Sequence, residues 1–253
     1  MRFFVKQEQI SENKIIIDGD DVKHIKDVLR LKTKDILTVC NGNKIDYTCS
    51  ITEILQKEIK LEIINQMVNQ NETEKNIFLF QGLPKSTKSE IIIQKTVELG
   101  ISSINLIETD HSVPKFKDFI NKHTKMKRLE KIVKAAAMQS ERGIIPEIKI
   151  TTIEQVFENF NNKNREIENF GIIAYENEKE NKLKKVLQNL KEEKQNYKNI
   201  SIFIGPEGGF SKGEIDKATN LGIQKITLGS RILKTETAAI TTLALVMYEM
   251  EEM

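Results

Sequence analysis

Up to about Asn71, apolar residues come in short runs that alternate with polar ones, the spacing of half-buried strands. IIID (Ile15–Asp18), DILTVC (Asp35–Cys40), KIDYTCSITEIL (Lys44–Leu55) and KEIKLEII (Lys57–Ile64) each predict a strand. The NGNK between the second and third supplies the positive φ that a tight hairpin needs. DDVKHIKDVLR (Asp21–Arg30) has helical spacing instead, with Val22, Ile25, Val28 and Leu29 on one face. A small β-rich barrel or sheet with one helix is expected over residues 1–70. The polar stretch NQMVNQNETEKN (Asn65–Asn76) reads as a linker.

Strands and helices alternate from Ile77 onwards. IFLFQG (Ile77–Gly82), SINLIET (Ser103–Thr109), EIKIT (Glu147–Thr151), FGIIAY (Phe170–Tyr175), ISIFIG (Ile200–Gly205) and KITL (Lys225–Leu228) predict six strands. Helices are expected over Ser86–Gly100, from about Asp118 to Gln139, over Lys179–Lys194 and over Thr235–Glu249. This alternation predicts an α/β domain over residues 74–253, a parallel sheet covered on both faces. The last helix carries Ala238, Ile240, Leu243, Leu245 and Val246 on more than one face, so it needs a partner besides its own sheet.

Composition narrows the class. Apolar residues make up 39% and charged residues 30% of the 253, enough for a packed core, and the net charge of +2 points to no partner. The two cysteines, Cys40 and Cys49, have no CxxC or Cys/His spacing, and His24, His111 and His123 are not spaced as metal ligands, so no metal is expected. The cysteines read as buried thiols in neighbouring strands. No signal-peptide core and no run of 18 apolar residues occurs, which predicts a cytoplasmic protein without membrane attachment.

Two stretches carry candidate chemistry. IGPEGGFSKGEI (Ile204–Ile215) leaves a strand through glycines and enters a helix, with Ser211 as N-cap and Glu214 closing a capping box. LGSRILKTETAAI (Leu228–Ile240) leaves the next strand through a glycine and enters a helix at TETA. In open α/β sheets ligands lie beyond the carboxyl ends of the strands, so the two loops can wall one pocket. Each is equally compatible with a well-built strand-to-helix turn. GxxxxGK[ST] and GxGxxG are both absent, which argues against a P-loop enzyme and the usual dinucleotide loops.

GPEGGFSKGEI together with LGSRILKTETA resembles the carboxyl-terminal signature of the SPOUT methyltransferases. MRFF, HIKDVLRLKTKD (His24–Asp35), QKTVELGI (Gln94–Ile101) and AAAMQSERGIIPEI (Ala135–Ile148) stand in the order of one SPOUT family, RsmE. That family methylates N3 of a uridine in 16S ribosomal RNA of the small subunit. The resemblance implies a SPOUT trefoil-knot methyltransferase domain behind an N-terminal PUA-like RNA-binding domain. It also implies S-adenosylmethionine as cofactor, with Gly205, Glu207 and Gly208 in one wall of its site and Leu228, Gly229, Ile232, Leu233 and Thr235 in the other. On this basis the glycines would admit the cofactor to the backbone. A homodimer formed through the last helix is implied as well.

The family context gives the basic clusters a partner. Lys23, Lys26 and Arg30 repeat at helical spacing on one face, with Lys32 and Lys34 just beyond, and Arg2 and Gln139 join them as implied RNA contacts. A second cluster has eight Lys or Arg against two acids between Lys115 and Lys134. The alternative for both is a solvated lysine-rich face. Transfer to a uridine N–H calls for a proton acceptor or a cation beside the uracil oxygens, and Glu236, Arg142 and Arg231 are the candidates. Glu236 could equally stabilise its own helix N-terminus, and Arg142 could cap a helix end. Another SPOUT RNA methyltransferase, acting on transfer RNA or a ribose hydroxyl, and a non-catalytic RNA-binding protein stay open as alternatives.

Overall fold

A computed structural model describes the chain except for residues 1, 86–87, 116, 118–122, 164–168 and 193–196, and the side chains of 123 and 161–163. The expected starts of the helices at Ser86 and Asp118, the end of the one reaching Lys194, and Lys122 of the second basic cluster lie outside the described residues. The chain forms two compact units: residues 1–72 with 137–145, and residues 73–136 with 146–253. The compact units divide near the expected boundary at 70–74, except that residues 137–145, with the QSER turn, group with the first unit.

In the first unit, β1 (Arg2–Phe4), β2 (Ile10–Ser11), β3 (Lys14–Asp18), β4 (Ile36–Cys40), β5 (Ile45–Ile54) and β6 (Glu58–Val68) form one sheet in the order β1-β4-β5-β6-β3-β2. β1 runs parallel to β4, and the other pairs are antiparallel. Alternate residues turn inward, so Ile15 and Ile17 of β3 pack with Phe3, Val39, Ile51 and Leu61. β6 runs on through Asn65–Val68 because those residues pair with Ile45–Thr48 of β5, so most of the expected linker's start is strand. Its polar sequence is explained by exposure of both faces there. Cys40 and Cys49 are buried free thiols, and desolvation raises them to about 11 and about 12.

The helix expected over Asp21–Arg30 begins as α1 (Asp20–Lys23) and continues as a π turn over His24–Val28, where the Leu29 N–H donates to His24 O at 3.0 Å. Val22 and Ile25 enter the core, but the wider winding leaves Val28 69% exposed, against the expected apolar face. His24 packs edge-on against the Phe3 ring, 5.8 Å between centroids.

In the second unit, β7 (Asn76–Gly82), β8 (Ser103–Glu108), β9 (Glu147–Thr152), β10 (Asn169–Ala174), β11 (Asn199–Ile204) and β12 (Gln224–Ile226) form a parallel sheet ordered β12-β10-β11-β7-β8-β9. Its helices are α2 (Lys88–Glu98), α3 (His123–Gln139), α4 (Ile153–Lys163), α5 (Leu183–Glu192), α6 (Lys212–Asn220) and α7 (Thr235–Glu249). Phe203 of β11 stacks on Phe80 of β7 at 4.5 Å and is surrounded by Phe157, Phe160 and Phe210. β8 and β9 extend the sheet outward from β7, whereas β10 and then β12 lie beyond β11, so the carboxyl ends of β11, β10 and β12 stand side by side.

Candidate cofactor cleft and nucleic-acid surface

Three strand ends build the site. β11 stops at Ile204 and passes into Gly205-Pro206-Glu207-Gly208-Gly209-Phe210. A Cβ on Gly205 would stand 2.9 Å from the Gly209 backbone, and Gly209 itself adopts φ +67°. These two glycines let the loop fold back on itself. A Cβ on Gly208 would meet His111 Cβ at 3.0 Å, and His111 Nδ1 lies 2.9 Å from Gly208 O. At Gly205 and Gly208 it is the loop's own backbone and His111 that leave no room for a side chain, so packing within the protein accounts for these two glycines. The loop ends in the expected capping box, where the Glu214 N–H donates to Ser211 Oγ and Glu214 accepts the N–H groups of Ser211 and Asp110. Burial pushes the Glu214 carboxyl upward, against the pull of those N–H donors.

A cleft of about 360 Å³ opens between this loop, residues 174–176 after β10, and Thr227–Thr235 after β12. Gly205, Glu207, Leu228, Gly229, Ile232, Leu233 and Thr235 line it, as does Arg231; Gly208 does not. Thr235 is 6% exposed and donates its hydroxyl to Gly205 O at 2.6 Å, while Gln81 Nε2 donates to Thr235 Oγ1 at 2.9 Å. The side chains of Gln81 and Thr235 therefore tie β7, the glycine loop and the start of α7 into one frame. Glu236, in the first turn of α7, is not among the residues lining the cleft; its buried Oε2 has no hydrogen-bond partner and lies 3.5 Å from Lys88 Nζ.

Tyr175, Glu176 and Lys88 also line the cleft and were missed from the sequence. The first two stand at the carboxyl end of FGIIAY, so the strand-end rule that found the glycine loop would have found them. Lys88 sits in the first turn of a helix among many lysines, and its sequence carries no signal.

Arg142 is placed differently from expectation. Its side chain is 3% exposed and its Nη2 donates to Glu72 Oε2 at 2.6 Å, while Glu72 Oε1 accepts the N–H groups of Gly143 and Ile144. Both residues belong to the first unit, and Arg142 is not among those lining the cleft. An arginine so enclosed fixes the QSER turn, and we drop it as the catalytic cation. Arg2 is corrected in the same way: it is 6% exposed, bonded to Asp46 at 2.6 Å and to the carbonyls of Glu141 and Arg142, so it is a buried clamp with no face left for RNA. Lys23, Arg30, Lys32 and Gln139 are exposed. Lys26 is half-buried and donates to Leu55 O at 3.2 Å. Among the described residues no group of three or more His, Cys, Asp or Glu could hold a metal ion, and no helix is long and apolar enough to cross a membrane.

This arrangement, a parallel sheet with looped strand ends behind a β-rich module, is that of a SPOUT-class RNA methyltransferase with a PUA-like domain. Residues 71–247 match the family model described as an RNA methyltransferase domain, and residues 17–64 match an RNA methyltransferase PUA domain. The chain is 34% identical to the ribosomal RNA small subunit methyltransferase E of Mesomycoplasma hyopneumoniae, covering 94% of this chain and 95% of that one. With the enzyme of the same name from Bacillus subtilis it shares 28% over 99% and 97%. The crystal structure of the Neisseria gonorrhoeae ribosomal RNA small subunit methyltransferase E bound to S-adenosylmethionine superposes with a TM-score of 0.82 at 25% identity, covering 98% and 96%. The chain belongs to the ribosomal RNA small subunit methyltransferase E family.

Proposed function

We propose that the protein transfers the methyl group of S-adenosylmethionine to N3 of a uridine in 16S ribosomal RNA. The observation that carries this is the cleft walled by the two loops, in a chain whose family is named for that reaction class and whose solved neighbour binds that cofactor. The cleft volume lies within the roughly 300–1,000 Å³ of ligand pockets. Main-chain groups of Gly205, Leu228, Gly229 and Leu233 would hold the cofactor. The Glu176 carboxylate has the chemistry to accept from ribose hydroxyls, as acidic residues at such strand ends do. The reading includes the knotted path of the last segment.

The bound cofactor supplies a methyl carbon activated by its sulfonium, so the protein's work is on the nucleophile. Uracil N3 gains a usable lone pair only as its proton leaves. The buried Oε2 of Glu236, which has no hydrogen-bond partner, is the acceptor, and the exposed guanidinium of Arg231 at the cleft faces the charge that spreads onto the uracil oxygens. Lys23, Arg30 and Lys32, with Gln139, form the RNA-facing group, and the exposed lysines between Lys115 and Lys134 extend the phosphate-binding surface. A ribosomal substrate places the reaction in the cytoplasm. The enzyme acts as a homodimer.

Nucleoside mass spectrometry of 16S ribosomal RNA tests the reading. Cells lacking the protein should lose one 3-methyluridine, restored by the wild type. Glu236→Gln should slow single turnover on small subunits by about 100-fold or more, the range of a positioned proton acceptor, with cofactor affinity kept. Unchanged 3-methyluridine in the deletion would refute the proposal.

A further inference from the structure

Among the described residues, Lys88, which lines the cleft, is the ammonium that joins Glu207, also in the lining, to Glu236, which stands just outside it. It lies 3.1 Å from Glu207 Oε1, in the glycine loop, and 3.5 Å from Glu236 Oε2, in the first turn of α7. The first distance makes a charge-assisted hydrogen bond, whereas the second is an ion pair too long for one. Glu207 is further anchored by the Lys85 main-chain N–H at 3.1 Å. The side chains of Lys88, Glu207 and Glu236 are 32%, 29% and 20% exposed, so the cluster is mostly shielded from water. The other charged groups lining the same cleft are Arg231 and Lys234 on the loop before α7 and Glu176 after β10.

We infer that Lys88 is a positioning residue for methyl transfer: its ammonium latches the glycine loop to the start of α7 and so sets where the Glu236 carboxylate stands. The inference rests on the reading of Glu236 as proton acceptor. The two walls come from different strand ends, β11 and β12. The bonds described between them are the Thr235–Gly205 contact and the Gln81 amide bridge deep in the frame, and the Lys88 bridge, which alone reaches the Glu236 side chain. Thr235 fixes the backbone of α7's first residue, but it leaves the side chain of the next residue to rotate. The ammonium restrains that side chain. Glu207 holds the Lys88 ammonium charged, chiefly through their hydrogen bond, so the latch stays closed across the neutral range. An unrestrained Glu236 would sample several rotamers, and an ångström of misplacement can cost about 100-fold in rate.

The test uses the full chain with Lys88→Met, which keeps much of the stem and removes the charge, and Lys88→Arg, which restores a cation. In the cofactor-free protein, Lys88→Met should speed amide hydrogen exchange in residues 205–210 and 235–238, and Lys88→Arg should not. With saturating cofactor and small subunits, Lys88→Met should lower the single-turnover rate by roughly 10- to 100-fold while KM for RNA stays within about threefold. Lys88→Arg should recover most of that loss. Wild-type exchange and wild-type rate in Lys88→Met would overturn the latch. The two readings fail separately. A fully active Glu236→Gln refutes the acceptor, and exchange in Lys88→Met still decides whether the walls are tied. A slow Glu236→Gln beside a normal Lys88→Met leaves the acceptor standing and refutes the latch alone.

Discussion

Glu141 adopts φ +58°, the left-handed region that side chains avoid, and its carbonyl accepts from the Arg2 guanidinium and from the side-chain amides of Asn69 at 3.2 Å and Asn71 at 3.0 Å. Three donors on one carbonyl over-determine the turn, which is how such strain persists. Left-handed geometry costs a residue with a Cβ about 1–2 kcal/mol, and a new glycine loses about 0.5–1 through the freer unfolded chain. Glu141→Gly is therefore expected to stabilise the protein by roughly 0.5–1 kcal/mol, a rise of about 1–4 °C in Tm by calorimetry. The neighbouring residue should behave oppositely. Arg142→Ala leaves the Glu72 carboxylate, 5% exposed, without its cation, and breaking such a buried pair costs about 3–5 kcal/mol. Denaturant unfolding should show that loss, with the rate per folded molecule nearly intact. A normal Tm with a slow enzyme would restore Arg142 to the catalytic list. Neither fate was legible in QSER, because the partners lie about 70 and 140 positions away along the chain.

At the scale of elements, periodicity found all six strands of the second unit and the capping box of α6, because both are local patterns. It failed where winding or pairing departs from the ideal. The π turn in His24–Val28 breaks the helical spacing that put Lys23, Lys26 and Arg30 on one face, and Arg30 itself takes φ +55°. Lys26→Ala is accordingly expected to cost stability through its bond to Leu55 O, whereas Lys23→Ala with Arg30→Ala should weaken RNA binding and lower its salt slope by about 2, measured by filter binding across salt. Equal slopes in wild type and double variant would move the RNA surface to Lys115–Lys134. The capping box has its own signature in pH. Glu214 has a folded value above its ordinary 4.5, so its contribution to stability is fully present below 4.5 and shrinks as pH rises through the raised value. The stability difference between wild type and Glu214→Ala should therefore narrow from pH 4 to pH 7 in urea titrations.

For the whole molecule, the sequence carried the class of both units, but the path of the chain between them was invisible to it. Residues 137–145 begin in the last turn of α3, whose earlier turns lie in the second unit, and yet belong to the first, a long-range choice made by Glu72, Asn69 and Arg2 that no local pattern announces. The strand order was equally hidden, since alternation specifies a parallel sheet without its permutation. Assembly is the remaining question at this scale. α7 packs on α2, α5 and β11 and buries Ala239, Leu243, Val246 and Met247, as its all-round apolar sequence requires. It still leaves Leu245 47% and Tyr248 73% exposed, and Ile91 of the adjoining α2 is 48% exposed. Apolar residues of that size on touching helices suit a symmetric contact with a second copy, because a two-fold axis would bring the same patch against itself. Light scattering at micromolar concentration should thus give twice the mass of 29.1 kDa. Leu245→Glu with Tyr248→Glu should halve it, with the fold kept because both side chains already face solvent. A monomeric wild type would refute the dimer, and a double variant that stays dimeric would place the contact on another surface.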